Sequence, residues 1–184
     1  MRKLLSLFLF IFLTVLLAGL YGIIHNQVTF SISSEYYTHF KFIQNDLPEY
    51  FTQPARLGAS IIGWNSTWWI GLIIGFILGL LWIWNDILTT KDKFKALLTV
   101  CITAIMFGFI GFLIAYFQWQ PKRYYEVINL PNYGKINDDS LQIMTSPYAF
   151  LRAETIHNFS YLGGLIGLLI GVFQLWKRKK QFEQ

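Results

Sequence analysis

One cysteine stands in 184 residues, and charged side chains make up only 14% of the chain. Cys101 lies inside an apolar run, so an intrachain disulfide is excluded and the residue reads as a small apolar core side chain. The shortage of charge excludes an ordinary soluble domain, in which about one residue in four is charged. No phosphate-binding glycine loop, Cys-x-x-Cys pair or Gly-x-Ser-x-Gly elbow is present, so the common sequence marks of nucleotide, thiol and serine chemistry are missing. What is abundant is apolar and aromatic: 54% of residues are hydrophobic, with 17 Phe, 7 Trp and 10 Tyr. Aromatic side chains favour the bilayer interface, and the composition points to a membrane protein. The net charge of +5 could suit nucleic acid, but the basic residues stand where membrane anchors stand, and no nucleic-acid partner is expected.

The hydropathy pattern predicts one membrane domain over residues 1–184, with spans at about 4–24, 61–84, 96–117 and 160–176. The first is about 31 Å long at 1.5 Å per residue, against a hydrocarbon core of about 30 Å. Met1-Arg2-Lys3 resembles the start of a signal peptide. The apolar stretch after it exceeds the usual length of about 7–15 residues, so it reads as an uncleaved anchor, with cleavage near Ala18 as the alternative. The fourth apolar stretch is short for a span. Ser146-Pro147 is a good N-cap and N1 pair, which predicts a helix from Pro147 to about Trp176.

Lys and Arg set the expected orientation. Arg2 and Lys3, then Lys91, Lys93 and Lys95, then Lys177, Arg178, Lys179 and Lys180 alternate correctly to share one side. The positive-inside rule makes that side the cytoplasm of a plasma-membrane protein, with both termini inside and the loops at about 25–60 and 118–159 outside. Gly71, Gly75 and Gly79, and likewise Gly163, Gly167 and Gly171, recur every four residues. This spacing predicts close helix packing in lipid, within a four-helix bundle or, secondarily, across a homodimer face. Trp64, Trp68 and Trp69 read as an outer aromatic belt, and Trp82, Trp84 and Trp176 as an inner one.

The outer loops predict a small, partly β cap. Val28 to Ser33 alternates apolar and polar, as a half-buried strand does. Tyr124 to Leu130 is rich in β-formers, and Leu141 to Met144 reads as another short strand. Asn132-Tyr133-Gly134 and Asn137-Asp138-Asp139 read as turns. The fold class is therefore an all-α integral membrane bundle of four spans with an extracytoplasmic cap.

All three histidines fall on the outer side. His25 ends the first span, His39 lies in the first outer loop and His157 opens the fourth span. Glu154-x-x-His157 puts both side chains on one face of a helix, a stripe that continues through Tyr161 and Gly164 toward neighbouring helices. Glu35-x-x-x-His39 shares a face in either a helix or a strand. Together His25, Glu35, His157, Glu154 and His39 form a candidate metal set, whose nitrogen and carboxylate donors suit zinc or non-haem iron. Tyr161 or Asn158 would orient a ligand, and Glu154 or Glu35 could serve as a base toward metal-bound water. The plainer reading of each residue is structural: Glu35 pairs with His39 or Lys41, and Glu154 with Arg152 or Lys122. Asn65, Ser66 and Thr67 sit at the outer end of the second span, placed either to line the same pocket or to bond between helices.

The stretches His25-Asn26-Gln27, Ser34-Glu35-Tyr36-Tyr37 with Phe40-Lys41-Phe42, and His157-Asn158-Phe159-Ser160-Tyr161-Leu162-Gly163-Gly164 resemble an uncharacterised family of small bacterial multi-pass membrane proteins. That family has Asp where this chain has Asn26 and Lys where it has His39. The resemblance ranks His25, Glu35 and His157 first, Glu154 next and His39 last.

Two functions are expected from this reading. One is a metal-binding membrane protein, an oxidoreductase or hydrolase, acting on lipids, quinones or small molecules at the outer face. The other is a non-catalytic membrane subunit or assembly factor whose polar cluster is structural and whose outer loops meet a membrane-protein partner. A transporter ranks third, because no span carries an ionisable residue near its middle.

Overall fold

A computed structural model of the chain describes residues 2–120 and 145–180. Four long helices dominate it: α1 (Arg2–Ile32), α2 (Ala55–Ile83), α3 (Thr90–Gln118) and α4 (Pro147–Lys180). Each is long and apolar enough to cross a bilayer. The connection between α1 and α2 holds a π-helical turn, Tyr36–Lys41, which runs into Phe42–Gln44, and a short helix at Glu49–Thr52.

Among the described residues there is no strand, so Val28 to Ser33 is a correction: Val28–Ile32 is the last part of α1. The alternation there conceals a helical period. Asn26, Thr29 and Ser33 are the buried residues, at steps of three and four. Extending a helix already nucleated costs little per residue, and among the described residues no strand offers a competing ladder. The expected strands at Tyr124–Leu130 and Leu141–Met144, and the turns at Asn132–Gly134 and Asn137–Asp139, lie outside the described residues. α4 starts at Pro147, as the Ser146-Pro147 pair predicts.

The helices pair as two hairpins, α1 with α2 and α3 with α4, closely packed within each and sparsely between them. Glycines make the close packing. A Cβ on Gly63 would stand 2.4 Å from the Gly22 carbonyl oxygen, and one on Gly22 would stand 2.2 Å from that of Gly63. Gly71 and Gly75 abut Thr14, and Gly79 abuts Leu7. In the second hairpin Gly163 meets Phe107, Gly167 meets Val100 and Gly171 meets Ala96. Both glycine stripes are thus covered inside the chain. Lipid gives apolar faces no reason to associate, so van der Waals contact along these seams holds each hairpin.

The hairpins join at their two ends. At one end Tyr36, Tyr37 and Phe42 pack with Ala59 and Ile62 of α2 and with Phe150, Leu151 and Ala153 of α4. At the other, Phe10, Leu78, Trp82, Leu97, Val100 and Leu175 bring all four helices together. These are called the histidine end and the lysine end below. Two of the belt tryptophans turn toward other helices. Trp64 lies against Gly19 within the first hairpin, and Trp82 is buried beneath the Lys93 ammonium, 3.5 Å from its ring centroid. Lys93 Nζ also donates to Ser6 Oγ at 3.0 Å. Trp68, Trp69, Trp84 and Trp176 are exposed, as belt residues are.

Candidate functional site

The histidine end is built from stripes on α1 and α4 and the π-helical turn between them. On α1, Tyr21, His25 and Thr29 follow at one-turn steps. On α4, Ser160 and Tyr161 lie three and four residues past His157, on the same face of the helix. The His25 and His157 rings meet edge to face, centroids 4.5 Å apart. Tyr36 stacks on His157 at 5.2 Å. The Tyr37 hydroxyl and Thr29 Oγ1 are 2.5 Å apart, and His157 Nε2 lies 3.3 Å from each. Burial pushes the Tyr36 and Tyr37 phenols above their ordinary value, so both stay neutral O–H donors. Two polar atoms are left over: His25 Nε2 and Ser160 Oγ are buried with no hydrogen-bond partner among the described residues. Ser160 Oγ lies beside the Tyr21 hydroxyl, and both face Gly108 of α3.

The five ligand candidates separate. His25 and His157 come together. Glu35 turns to the start of α4, where its carboxylate accepts from the Thr145 hydroxyl at 2.6 Å, the Thr145 amide at 3.0 Å and the Ser146 amide at 3.1 Å. A carboxylate there also faces the positive end of the helix dipole. Burial raises the Glu35 pKa, but these three hydrogen bonds and nearby His39 outweigh it and hold the carboxyl below its ordinary value. Glu154 is half-buried and sits electrostatically beside Tyr36 and Lys41. Burial pulls the Lys41 ammonium below its ordinary value, and Glu154 opposes that pull. His39 is exposed. Among the described residues no group of three His, Cys, Asp or Glu side chains is placed to share a metal ion. Arg152 bonds the Trp119 carbonyl at 2.9 Å, and Asn26 Nδ2 donates to the Ala59 carbonyl at 3.0 Å, tying α1 to α2.

Beside this end a cavity of about 740 Å³ opens between the hairpins. The expectation that the Tyr161 and Gly164 stripe packs on neighbouring helices is corrected here. Both residues line the cavity, and a Cβ on Gly164 would meet nothing within 4 Å. The glycine seams use the faces within each hairpin, and the cavity lies on the surfaces that the hairpins turn toward each other. Toward the lysine end the lining is apolar, with Ile74, Leu97, Val100 and Leu168. Toward the histidine end it is polar, with Tyr21, Asn65, Ser66, Ser160 and Tyr161. Asn65, Ser66 and Thr67 do line a pocket, although the Thr67 hydroxyl is bonded to the Gly63 carbonyl of its own helix at 2.8 Å. None of the described residues lining the cavity is Asp, Glu, Lys, Arg or His.

Sequence reasoning missed Tyr21, Thr29, Tyr37 and the role of Ser160. Tyr21 and Thr29 stand four residues either side of His25, a signal hidden because α1 was expected to end near there. Tyr37 carried a signal only as part of the Ser34-Glu35-Tyr36-Tyr37 stretch, since a π-helical turn has no sequence period of its own. No protein-family model matches the chain, and neither a curated protein nor a solved structure matches it.

Proposed function

We propose that this is a multi-pass membrane protein that binds a hydrophobic small molecule of the bilayer in the cleft between its two hairpins. The observation that carries the reading is the cavity of about 740 Å³, apolar toward one end and hydroxyl-lined toward the other. Its volume lies in the usual range for ligand pockets, about 300–1,000 Å³. A lipid tail suits the Ile74–Leu97–Leu168 end, and a polar head suits the Tyr21–Ser160–Tyr161 end. The basic residues Lys177 to Lys180 and the Lys91–Lys95 turn support a plasma-membrane orientation with the lysine end cytoplasmic and the histidine end outside.

The test fills the cavity. Gly164→Leu adds a side chain where a Cβ meets no atom within 4 Å, so the fold has no reason to break. Purified in mild detergent, the unmodified protein is expected to carry a lipid that mass spectrometry detects after extraction, and Gly164→Leu is expected to lose it. Equal lipid in both proteins would sink the reading.

A second reading, a divalent metal held by His25 and His157, has one observation in its favour: among the described residues His25 Nε2 has no hydrogen-bond partner, and it lies beside the second imidazole. Zinc or iron would need further donors, which Tyr37 and water could supply. Stoichiometric metal by mass spectrometry, lost in His25→Ala, is its test.

A further inference from the structure

We infer that the connection between α1 and α2 is an interfacial segment, with the exposed side chains of Ile43 and Tyr50 seated in the lipid leaflet at the histidine end. Its partner is thus the bilayer surface itself, whatever the cleft holds. Three observations lead here, and the first is position. Toward the histidine end, the lining of the cavity stops at Tyr21 on α1, Asn65 on α2 and Ser160 on α4. Asn65 lies ten residues past Ala55, about 15 Å along α2 at 1.5 Å per residue. Asn45 of the connection lines this same cavity. On the way there, Phe42 packs on Gly58, Ala59 and Ile62. The chain therefore leaves α1, turns back toward the lysine end alongside α2, and returns to enter α2 at Ala55.

The second observation is exposure. Ile43 is 69% exposed and Tyr50 is 72% exposed, and both lie outside the four long helices. On a loop in water, single exposed apolar residues call for no explanation. Ile43 is different because of its depth: it is two residues from Asn45, at most about 7 Å away even if the chain were extended. Tyr50 lies nearer the start of α2, since the carbonyl of adjoining Phe51 stands against Gly58. A tyrosine suits that level, with its ring in lipid and its hydroxyl among headgroups. Asp46 and Glu49 on the same stretch are exposed, and their carboxylates need water, which fits a segment at the interface rather than one buried in hydrocarbon.

The third observation is the backbone. Chain that meets lipid must satisfy its own amides, because hydrocarbon offers no partner. The amides of Tyr37, Thr38, Asn45, Asp46 and Leu47 all donate to carbonyls three to five residues earlier. Asn45 Nδ2 adds a bond to the Lys41 carbonyl at 2.9 Å, and Lys41 Nζ donates to Gln44 Oε1 at 2.8 Å. The segment is thus closed on itself, with Tyr36, Tyr37 and Phe42 holding its inner side to α2 and α4.

The experiment uses the full chain in phosphatidylcholine nanodiscs. Cys101 is the only cysteine, so Cys101→Ala combined in turn with Ile43→Cys, Tyr50→Cys and Glu49→Cys gives three proteins with one thiol each for a nitroxide label. All three positions are exposed, so the label has room. Power saturation of the label compares its collisions with oxygen, which concentrates in lipid, and with a water-soluble nickel chelate. Expected is oxygen over nickel at Ile43 and Tyr50, and the reverse at Glu49. Nickel over oxygen at Ile43 or Tyr50 would show a segment standing in water and would overturn the inference. Exclusion of both reagents there would show those side chains covered by protein, from this chain or a second copy, and would overturn it equally.

Discussion

The seams inside the two hairpins and the gap between the hairpins share the same helices and are made from different residues. Along the seams, Gly22 faces Gly63, and Gly163, Gly167 and Gly171 face Phe107, Val100 and Ala96, so backbones nearly touch. Across the gap, Gly164 faces open space, although it is adjacent in sequence to Gly163. The helical period rotates neighbours by about 100°, and this alone turns one glycine into packing and the next into cavity wall. In lipid, where apolar contact is no better than lipid contact, a cleft persists if small residues concentrate association elsewhere.

The sharpest way to break that comparison is to enlarge both kinds of glycine. Gly63→Leu is expected to force α1 from α2 at the cost of about 3 kcal/mol or more, the upper range for overpacking. The measurement is the yield of monodisperse protein and its thermal midpoint. Gly164→Leu is expected to hold the unmodified midpoint within a few degrees. If the two variants were equally damaged, seam and gap would not differ as described.

Asn26→Leu probes the first seam more gently. It removes the amide that donates to the Ala59 carbonyl and leaves that buried acceptor without its partner, for a loss of about 1–3 kcal/mol. Denaturant or thermal unfolding reads it, and an unchanged midpoint would show that this bond adds nothing to the seam.

Glu35→Gln comes next, with an expected loss of about 1–2 kcal/mol for hydrogen bonds to a charged, partly exposed group. Its pH dependence has a definite sign. The folded carboxyl titrates below its ordinary value of 4.5, so its contribution is full above that value and fades as pH falls through the lower, folded one. Hydrogen exchange at the start of α4 is expected to quicken on acidification in the unmodified protein and to be insensitive in Glu35→Gln. Identical acid responses would assign the effect to another group.

Much of this fold was legible in the sequence because it depends on length and hydropathy. The four apolar stretches lie within four helices, and Ser146-Pro147 marks the start of α4. The glycine spacing marked the seams but could not say which partner each would meet. The overrun of α1 past His25 was not legible, because Val28 to Ser33 satisfies both a period of two and a helical period. For the site, the sequence placed His25 and His157 at one level, and their rings do meet. Glu35 stood out because it carries charge near histidine, whereas its position is set by the free amides at the start of α4. Those amides lie more than a hundred residues away and leave no local pattern. The cavity itself is written in no motif, since it exists where side chains fail to meet.

The long-range hydrogen bonds of the histidine end also have a consequence in time. The first hairpin is complete once the chain has been made as far as Ile83. His157 instead reaches Thr29 across 128 residues, and Glu35 reaches Ser146 across 111. Synthesis runs from the N-terminus, so the earlier unit can form first. The histidine end therefore closes only after α4 has joined the other three helices. Until then the cleft beside it lacks its α4 wall, and the polar lining that Ser160 and Tyr161 supply is missing.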